Sequence, residues 1–184
     1  KTINIIPDMA ILGKALGNGY AITAVLGKRE IMECASKSFI SSTFWTERIG
    51  PAAAVKTLEE MEKIKSWEII TNIGKKIRKK WEIIGKRNNI NIQISGIPAL
   101  SSFAINSNNW FKYKTFITQE MLSSNILASN AIFVCTKHNK KNLDVYFNKL
   151  DEIFNKIDKF ENKTLDIEKF LKTDVCQVGF KRLN

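Results

Sequence analysis

A single lysine, Lys14, stands between an apolar run and a glycine-rich turn in the segment ILGKALGNGYAITAVLG, residues 11–27. Phosphate loops, helix caps and Schiff-base lysines all share this general pattern. A lysine that forms an imine must present its amine at the end of a rigid element, partly shielded from water, so that the free amine is available. Lys14 has that placement, and the glycines beyond it allow close approach of backbone and ligand.

The phosphate-binding interpretations of these glycines fail on the neighbouring residues. A Walker-type loop needs an upstream glycine and a Ser or Thr directly after the Gly-Lys pair. Lys14 is followed by Ala15, and Lys28 is followed by Arg29. The Gly-Asn-Gly turn at residues 17–19 lacks the third glycine of a dinucleotide-binding fingerprint and the helix it should open. Two interpretations of Lys14 stay open at this point, a Schiff-base lysine and a lysine that ends a strand.

The chain is basic, and the distribution of its charge decides what that implies. Its 29 Lys and Arg against 18 Asp and Glu leave a net charge of +11, which suggests nucleic acid or an anionic surface as a partner. Residues 62–87 hold nine basic and three acidic residues. Apolar residues alternate with them at steps of three and four, which predicts one amphipathic helix with a solvated face. That stripe consists of Ile64, Trp67, Ile70, Ile73, Ile77, Trp81 and Ile84. We therefore expect no nucleic-acid partner, and keep a basic nucleic-acid-binding domain as a distant alternative.

The cysteines and the hydropathy pattern indicate the cellular location that we expect for this protein. Cys34, Cys135 and Cys176 show no CxxC spacing, so we expect neither a disulfide framework nor a metal site. A reducing cytoplasm is the simpler location. Since no apolar stretch approaches the roughly 18 residues needed to span a bilayer, we expect no membrane partner.

The spacing of apolar residues along the chain predicts its strands and helices. Residues 2–13 hold two short β-type runs separated at Pro7, and residues 21–27 form another run of strand length, so we expect buried strands there. A helix is predicted from Pro51 to about residue 87, with a break near Ser66. From residue 91 onward, strand-like and helical runs alternate, as in a small α/β unit.

The lysine segment also resembles a known family. PDMAILGKALGNGYAITAVLGKREIME, residues 7–33, resembles the stretch around the cofactor lysine of class-III aminotransferases, which are pyridoxal-phosphate enzymes of fold type I. The nearest pattern is the glutamate-1-semialdehyde 2,1-aminomutase-like branch. STFWTERIGPAAAVKTLEEME at residues 42–62 is similar, without a gap, to the family's Thr-Phe-Ser-Gly-Asn-Pro segment and the Ala-rich helix that follows it. ISGIPALSSFAI at residues 94–105 and the run at residues 132–154 are similar to the family's C-terminal domain.

This resemblance implies an α/β architecture and a division of the chain. It covers only about the C-terminal half of a full enzyme. Residues 1–74 would form the end of the large, cofactor-binding domain, and residues 75–184 a small C-terminal α/β domain with a tail. Taken alone, such a chain would expose strand edges and an apolar face. We therefore expect a homodimer, or an upstream half of the enzyme, as its partner.

The resemblance also implies roles for two residues. Lys14 would form the Schiff base with pyridoxal 5'-phosphate and then act as a general base at the substrate carbon. Thr43 matches the family threonine whose hydroxyl binds the cofactor phosphate, typically in the neighbouring subunit's site. The reaction would transfer an amino group between a small-molecule amino donor and an aldehyde or keto acceptor. A non-catalytic truncated remnant, or an interaction module unable to hold cofactor, is the alternative.

Two further positions carry expectations. Residues 45–48 read Trp-Thr-Glu-Arg where the family often has Ser-Gly-Asn-Pro, so the backbone path near the phosphate is expected to differ. His138 is the only histidine of the chain. We expect it to be a structural or capping residue, and we expect Cys176 to serve packing.

Overall fold

A computed structural model describes residues 4–177 and residue 179 of this chain. Its contacts divide the chain into two compact units, Lys1–Ser66 and Trp67–Asn184, here called unit 1 and unit 2. The expected functional domains, residues 1–74 and 75–184, remain a prediction.

Unit 1 holds two strands and two helices: β1 (Met9–Leu12), β2 (Ala24–Gly27), α1 (Arg29–Met32) and α2 (Ile49–Ile64), with 3₁₀ helices at Lys14–Leu16 and Glu33–Lys37. The division of the chain falls at the start of α3 (Ser66–Arg87). The rest of unit 2 consists of β3 (Ile92–Ile97), β4 (Leu100–Ile105), α4 (Trp110–Ser123), β5 (Ala131–Phe133), α5 (Lys140–Glu161) and a 3₁₀ helix at Ile167–Lys169.

The predicted break in the long helical region is confirmed. Lys65 ends α2 in the left-handed conformation, with φ of 48°, and its N–H donates to the Glu62 carbonyl. A left-handed residue at this position satisfies a terminal carbonyl and cannot continue the helix. The next helix, α3, therefore starts at Ser66 as a separate element.

Unit 2 contains a three-stranded antiparallel sheet in the order β3-β4-β5. Leu100 pairs with Ile97 of β3 and with Phe133 of β5, which sets the register of all three strands. Along β4, Ser101, Phe103 and Ile105 are buried while the residues between them are more exposed. This period of two is what a sheet with one covered face requires.

The core of unit 2 lies between this sheet and its helices. Ring centroids of Trp81 and Phe103 are 5.0 Å apart, and those of Phe103 and Phe154 are 5.7 Å apart, both in edge-to-face geometry. The Trp81 indole N–H donates to the Tyr146 hydroxyl at 2.9 Å, so the polar edge of a fully buried ring is satisfied. The side chains that are almost fully buried in this core are Ile77, Trp81, Ile84, Phe103, Tyr113, Phe116, Ile117, Met121, Leu150, Ile153, Phe154 and Ile157.

The strands of unit 1 differ from the expectation. Strands β1 and β2 pair antiparallel with each other, but the prediction that they are buried is wrong in this structure. Ile11 is 71% exposed and Leu26 is 56% exposed. Among the described residues these two strands pair with no third strand. A two-stranded hairpin buries its apolar side chains only when further strands or a helix pack on it. Residues 4–6 of the first predicted run are irregular, and the start of that run lies outside the described residues.

Candidate functional site

The hairpin of β1 and β2 carries Lys14 on its connecting loop. The strands pair from Met9 opposite Gly27 to Leu12 opposite Ala24, so the loop spans residues 13–23. An ion pair of 2.6 Å between Lys28 Nζ and Asp8 lies at the other end of the hairpin. The Lys28 N–H also donates to the Asp8 carbonyl at 3.0 Å. These bonds hold the register that places Lys14 directly after β1.

The backbone of Lys14 adopts an uncommon conformation. Gly13 is extended, and Lys14 follows with φ of 48°, in the left-handed region. An L-residue with a Cβ pays roughly 1–2 kcal/mol there, and such residues tend to occur where a site demands them. The carbonyl of Lys14 accepts from Gly17 N–H at 3.2 Å and the carbonyl of Gly13 accepts from Leu16 N–H at 3.0 Å. The loop is thus a hydrogen-bonded turn, and the Lys14 side chain lies exposed on it.

Gly17 closes this turn and accepts no larger residue. Gly17 is buried, and a Cβ added to it would lie 2.0 Å from the carbonyl oxygen of Tyr20. The Tyr20 N–H also donates to the Gly17 carbonyl at 3.1 Å. The glycine-rich sequence after Lys14 is therefore explained by close backbone approach within the loop.

The N-terminus of α2 packs against residues 21 and 22, near the end of the same loop. Gly50 is buried, and a Cβ there would lie 2.6 Å from the Ala21 carbonyl oxygen. The Glu47 carboxylate accepts from the Gly50 N–H at 2.9 Å and from the Ile49 N–H. It thereby satisfies amides that a helix start leaves free, and its charge suits the positive end of the helix dipole.

In the sequence, Glu47 stands out only as a departure from the family pattern. The structure gives it a local role as the cap of α2. Acidic residues near a helix start and a proline in its first turn are recognised start signals, and Glu47 and Pro51 offered both in the sequence.

Thr43 lies on a different loop of unit 1, in the turn at residues 43–46 ahead of α2. Its side chain is exposed, and within the described residues its hydroxyl makes no hydrogen bond. The described hydrogen bonds include none between Thr43 and Lys14. The cofactor roles of Lys14 and Thr43 remain predictions.

Two residues outside this region serve local structure. Nδ1 of His138 accepts from the Cys135 backbone N–H at 3.1 Å, which supports the capping role expected of it. The Cys176 N–H donates to the Thr115 hydroxyl at 2.9 Å, and its thiol lies 3.6 Å from the Phe111 carbonyl oxygen. These contacts hold the segment around Cys176 against α4.

The described residues show neither a metal-binding cluster nor a membrane-spanning helix. They contain no group of three or more His, Cys, Asp and Glu side chains placed to hold a metal ion. None of their helices combines the length and the apolar character needed to cross a membrane.

Comparison with known proteins decides the family. A family model described as aminotransferase class-III matches residues 1–131, which is more than half of the chain. The chain belongs to the class-III aminotransferase family. The resemblance seen in the lysine segment is thereby confirmed.

Curated relatives of this class-III aminotransferase chain carry related names. It is 28% identical over 149 residues to the 3-aminobutyryl-CoA aminotransferase of Cloacimonas acidaminovorans, covering 78% of this chain and 36% of that protein. It is 26% identical over 167 residues to the glutamate-1-semialdehyde 2,1-aminomutase of Methanosphaera stadtmanae, covering 80% of this chain and 38% of that protein. The class-III chain thus spans less than two fifths of the length of these two relatives.

Solved structures confirm the fold class. The internal aldimine form, with PLP, of the FumI protein of Sphingopyxis sp. MTA144 matches with a TM-score of 0.79 at 20% identity, covering 92% of this chain and 41% of that chain. A PLP-bound transaminase matches with a TM-score of 0.75 at 15% identity, covering 85% and 40%. The class-III chain therefore has the α/β fold of one part of the fold type I transferases.

Proposed function

We propose that this chain forms the lysine-bearing part of a pyridoxal-phosphate-dependent class-III aminotransferase or aminomutase. The parent reaction moves an amino group between an amino donor and an aldehyde or keto compound. The observation that carries the proposal is Lys14, held exposed in a left-handed backbone conformation at the end of β1. Family membership makes this lysine the candidate for the cofactor-binding residue.

The described loop fits a covalently anchored cofactor in one respect that can be read from the structure. The turn after Lys14 is closed so tightly at Gly17 that no side chain fits there. Gly19, by contrast, has φ of 110°, and a Cβ added to it would meet no atom within 4 Å. The backbone at Gly19 is therefore open, and a ligand can approach it closely in the loop that carries Lys14.

Each residue then has a defined task. When bound, pyridoxal phosphate supplies an electron sink for the carbon that bears the substrate nitrogen. Lys14 would hold the cofactor through Nζ, and the same amine would remove and return the proton at that substrate carbon. Thr43, whose exposed hydroxyl is free of partners within the described residues, would donate to a phosphate oxygen of a cofactor held in the neighbouring subunit.

Exposed apolar side chains support a partner for unit 1. Ile6 is 87% exposed and Phe39 is 97% exposed, and Trp45 lies 67% exposed beside Thr43. Apolar patches of this kind mark surfaces that another protein covers. A second subunit or an upstream half of the enzyme is the partner we propose. A cytoplasmic location is part of the proposal, and the three free cysteines support it.

Borohydride trapping tests the proposal. The purified chain is mixed with pyridoxal phosphate, its absorbance is recorded at about 420 nm, and labelled lysines are located by mass spectrometry after reduction. We expect labelling concentrated on Lys14 and lost in Lys14→Ala. Lys65→Ala is the matched control, because Lys65 has the same φ of 48° and is also exposed.

Two outcomes would contradict the proposal. Labelling spread evenly over the exposed lysines would show that Lys14 has no special reactivity. An absorbance band that survives in Lys14→Ala would show that another group holds the cofactor. The first result would favour the alternative, a truncated remnant or interaction module that does not hold cofactor, and the second would reject Lys14 as the cofactor lysine.

A further inference from the structure

Helix α3 has two faces of opposite character. Its inner face contributes Ile77, Trp81 and Ile84 to the core of unit 2, and all three are fully buried. Its outer face carries most of the charge of the helix. In all, α3 contains seven Lys and Arg residues but only two acidic ones, Glu68 and Glu82.

Five lysines of the outer face are exposed and form no ion pair or hydrogen bond with any described residue. The two arginines of the helix do have partners: Arg78 donates to the Gly96 carbonyl at 2.7 Å, and Arg87 pairs with Asp151. The five residues, here called the lysine face, are Lys75, Lys76, Lys79, Lys80 and Lys86. From Lys75 to Lys86 they extend along about 16 Å of helix.

An apolar residue lies in the middle of the lysine face. Ile83 is 48% exposed. Residues three and four positions away on a helix are its surface neighbours, and for Ile83 these include Lys79, Lys80 and Lys86. The lysine face thus has an apolar residue at its centre and charged residues around it, the same order of an apolar centre and a polar rim that protein interfaces show.

The lysine face is unusual within this chain. Three of the five lysines of α5 are paired: Lys140 with Asp144, Lys149 Nζ at 3.4 Å from Glu152, and Lys156 Nζ at 3.0 Å from Glu120. On α3, Lys75, Lys76, Lys79 and Lys80 instead lie three or four positions from one another, where like charges repel and destabilise a helix. That unfavourable charge would be relieved by an acidic partner.

We propose that the lysine face docks an acidic amphipathic helix of another protein. Ile83 would contact the apolar side of that helix, and the surrounding lysines would face its carboxylates. A phosphate backbone offers nothing apolar to Ile83, so the face favours a protein over a nucleic acid. Pairing of this face with the same face of a second copy is disfavoured, because it would bring exposed lysines against exposed lysines. Insertion into a lipid surface is disfavoured because the apolar face of α3 is already buried in the core.

Binding of a defined probe tests this docking surface. The probe is an Ala-based helical peptide of about 20 residues with Leu along one side and Glu flanking it, measured by fluorescence anisotropy. We expect binding by the 184-residue chain that weakens as salt is raised. Lys79→Glu together with Lys86→Glu should weaken it about tenfold or more, and Ile83→Ala about fivefold.

A matched control separates the lysine face from overall charge. Lys141→Glu with Lys169→Glu changes the net charge equally at exposed positions of unit 2, and it should change peptide affinity by less than about twofold. Circular dichroism verifies that each variant is folded. Absence of peptide binding, or equal loss in the control pair, would overturn the proposal. So would tighter binding to a DNA duplex or to phosphatidylserine vesicles than to the peptide.

Discussion

Replacing Gly74 by alanine is expected to destabilise unit 2, although the same change improves helix propensity. Gly74 lies inside α3, where alanine is normally favoured over glycine by about 1 kcal/mol. A Cβ on Gly74 would lie 1.9 Å from the carbonyl oxygen of Pro98 and 2.5 Å from its carbonyl carbon. Since non-bonded heavy atoms are in good contact near about 3.5 Å, the helix and the β3–β4 turn must separate by more than about 1 Å.

The turn at Pro98 cannot move without breaking other contacts. The Arg78 guanidinium donates to the Gly96 carbonyl at 2.7 Å, and the hydroxyl of the fully buried Ser101 donates to the Ile97 carbonyl at 2.9 Å. Overpacking costs about 1–3 kcal/mol, and losing a hydrogen bond from a charged donor costs about 1.5–3 kcal/mol. After the propensity gain, we expect the free energy of unfolding to fall by about 2–4 kcal/mol.

Urea unfolding followed by tryptophan fluorescence measures this change, because Trp81 is fully buried in the same core. Gly85→Ala is the matched control within α3. Its Cβ would lie 3.0 Å from the Ile90 carbonyl oxygen and 3.4 Å from Ile92, so we expect a change within about 1 kcal/mol. If Gly74→Ala is as stable as the unmodified chain, or more stable, the reasoning from this contact is refuted.

Three further changes test local interactions. Glu47→Ala should destabilise the start of α2 by about 1 kcal/mol, seen as faster hydrogen exchange of its first amides; unchanged exchange would contradict the cap. Burial alone would raise the pKa of Glu120, but the hydrogen bond from Lys156 helps to lower that pKa below its ordinary value. The stability this carboxylate adds is therefore complete above about pH 4.3 and is lost as the pH falls through the lowered pKa. Urea unfolding at pH 7 should show Glu120→Gln less stable by about 0.5–1 kcal/mol, and at about pH 3 the difference should shrink; a constant difference would argue against the pair. Thr115→Val removes the acceptor of the Cys176 N–H and should speed tryptic cleavage of the C-terminal segment, whereas an unchanged rate would mean that this bond does not hold it.

Much of the architecture could be predicted from local patterns. The apolar spacing of α3 predicted its buried face because a helix brings residues three and four apart onto one side. The alternation along β4 likewise follows from the period of a strand. The lysine segment identified the family, because the glycines and the apolar run around Lys14 are constrained by close backbone approach within a few residues of one another.

What only the tertiary structure decided depends on contacts between residues far apart in the chain. Glycine at position 74 is explained by the carbonyl of Pro98, and nothing within α3 itself requires it. The exposure of β1 and β2 could not be predicted from their apolar sequence, because burial depends on what covers a strand and hydropathy reports only what the strand prefers. The tertiary structure also shows which cations of α3 have partners. Arg78 and Arg87 have them, and the lysines around Ile83 have none among the described residues. Sequence alone thus determined the local elements and the family, and the fold decided which side chains are covered, paired or left available.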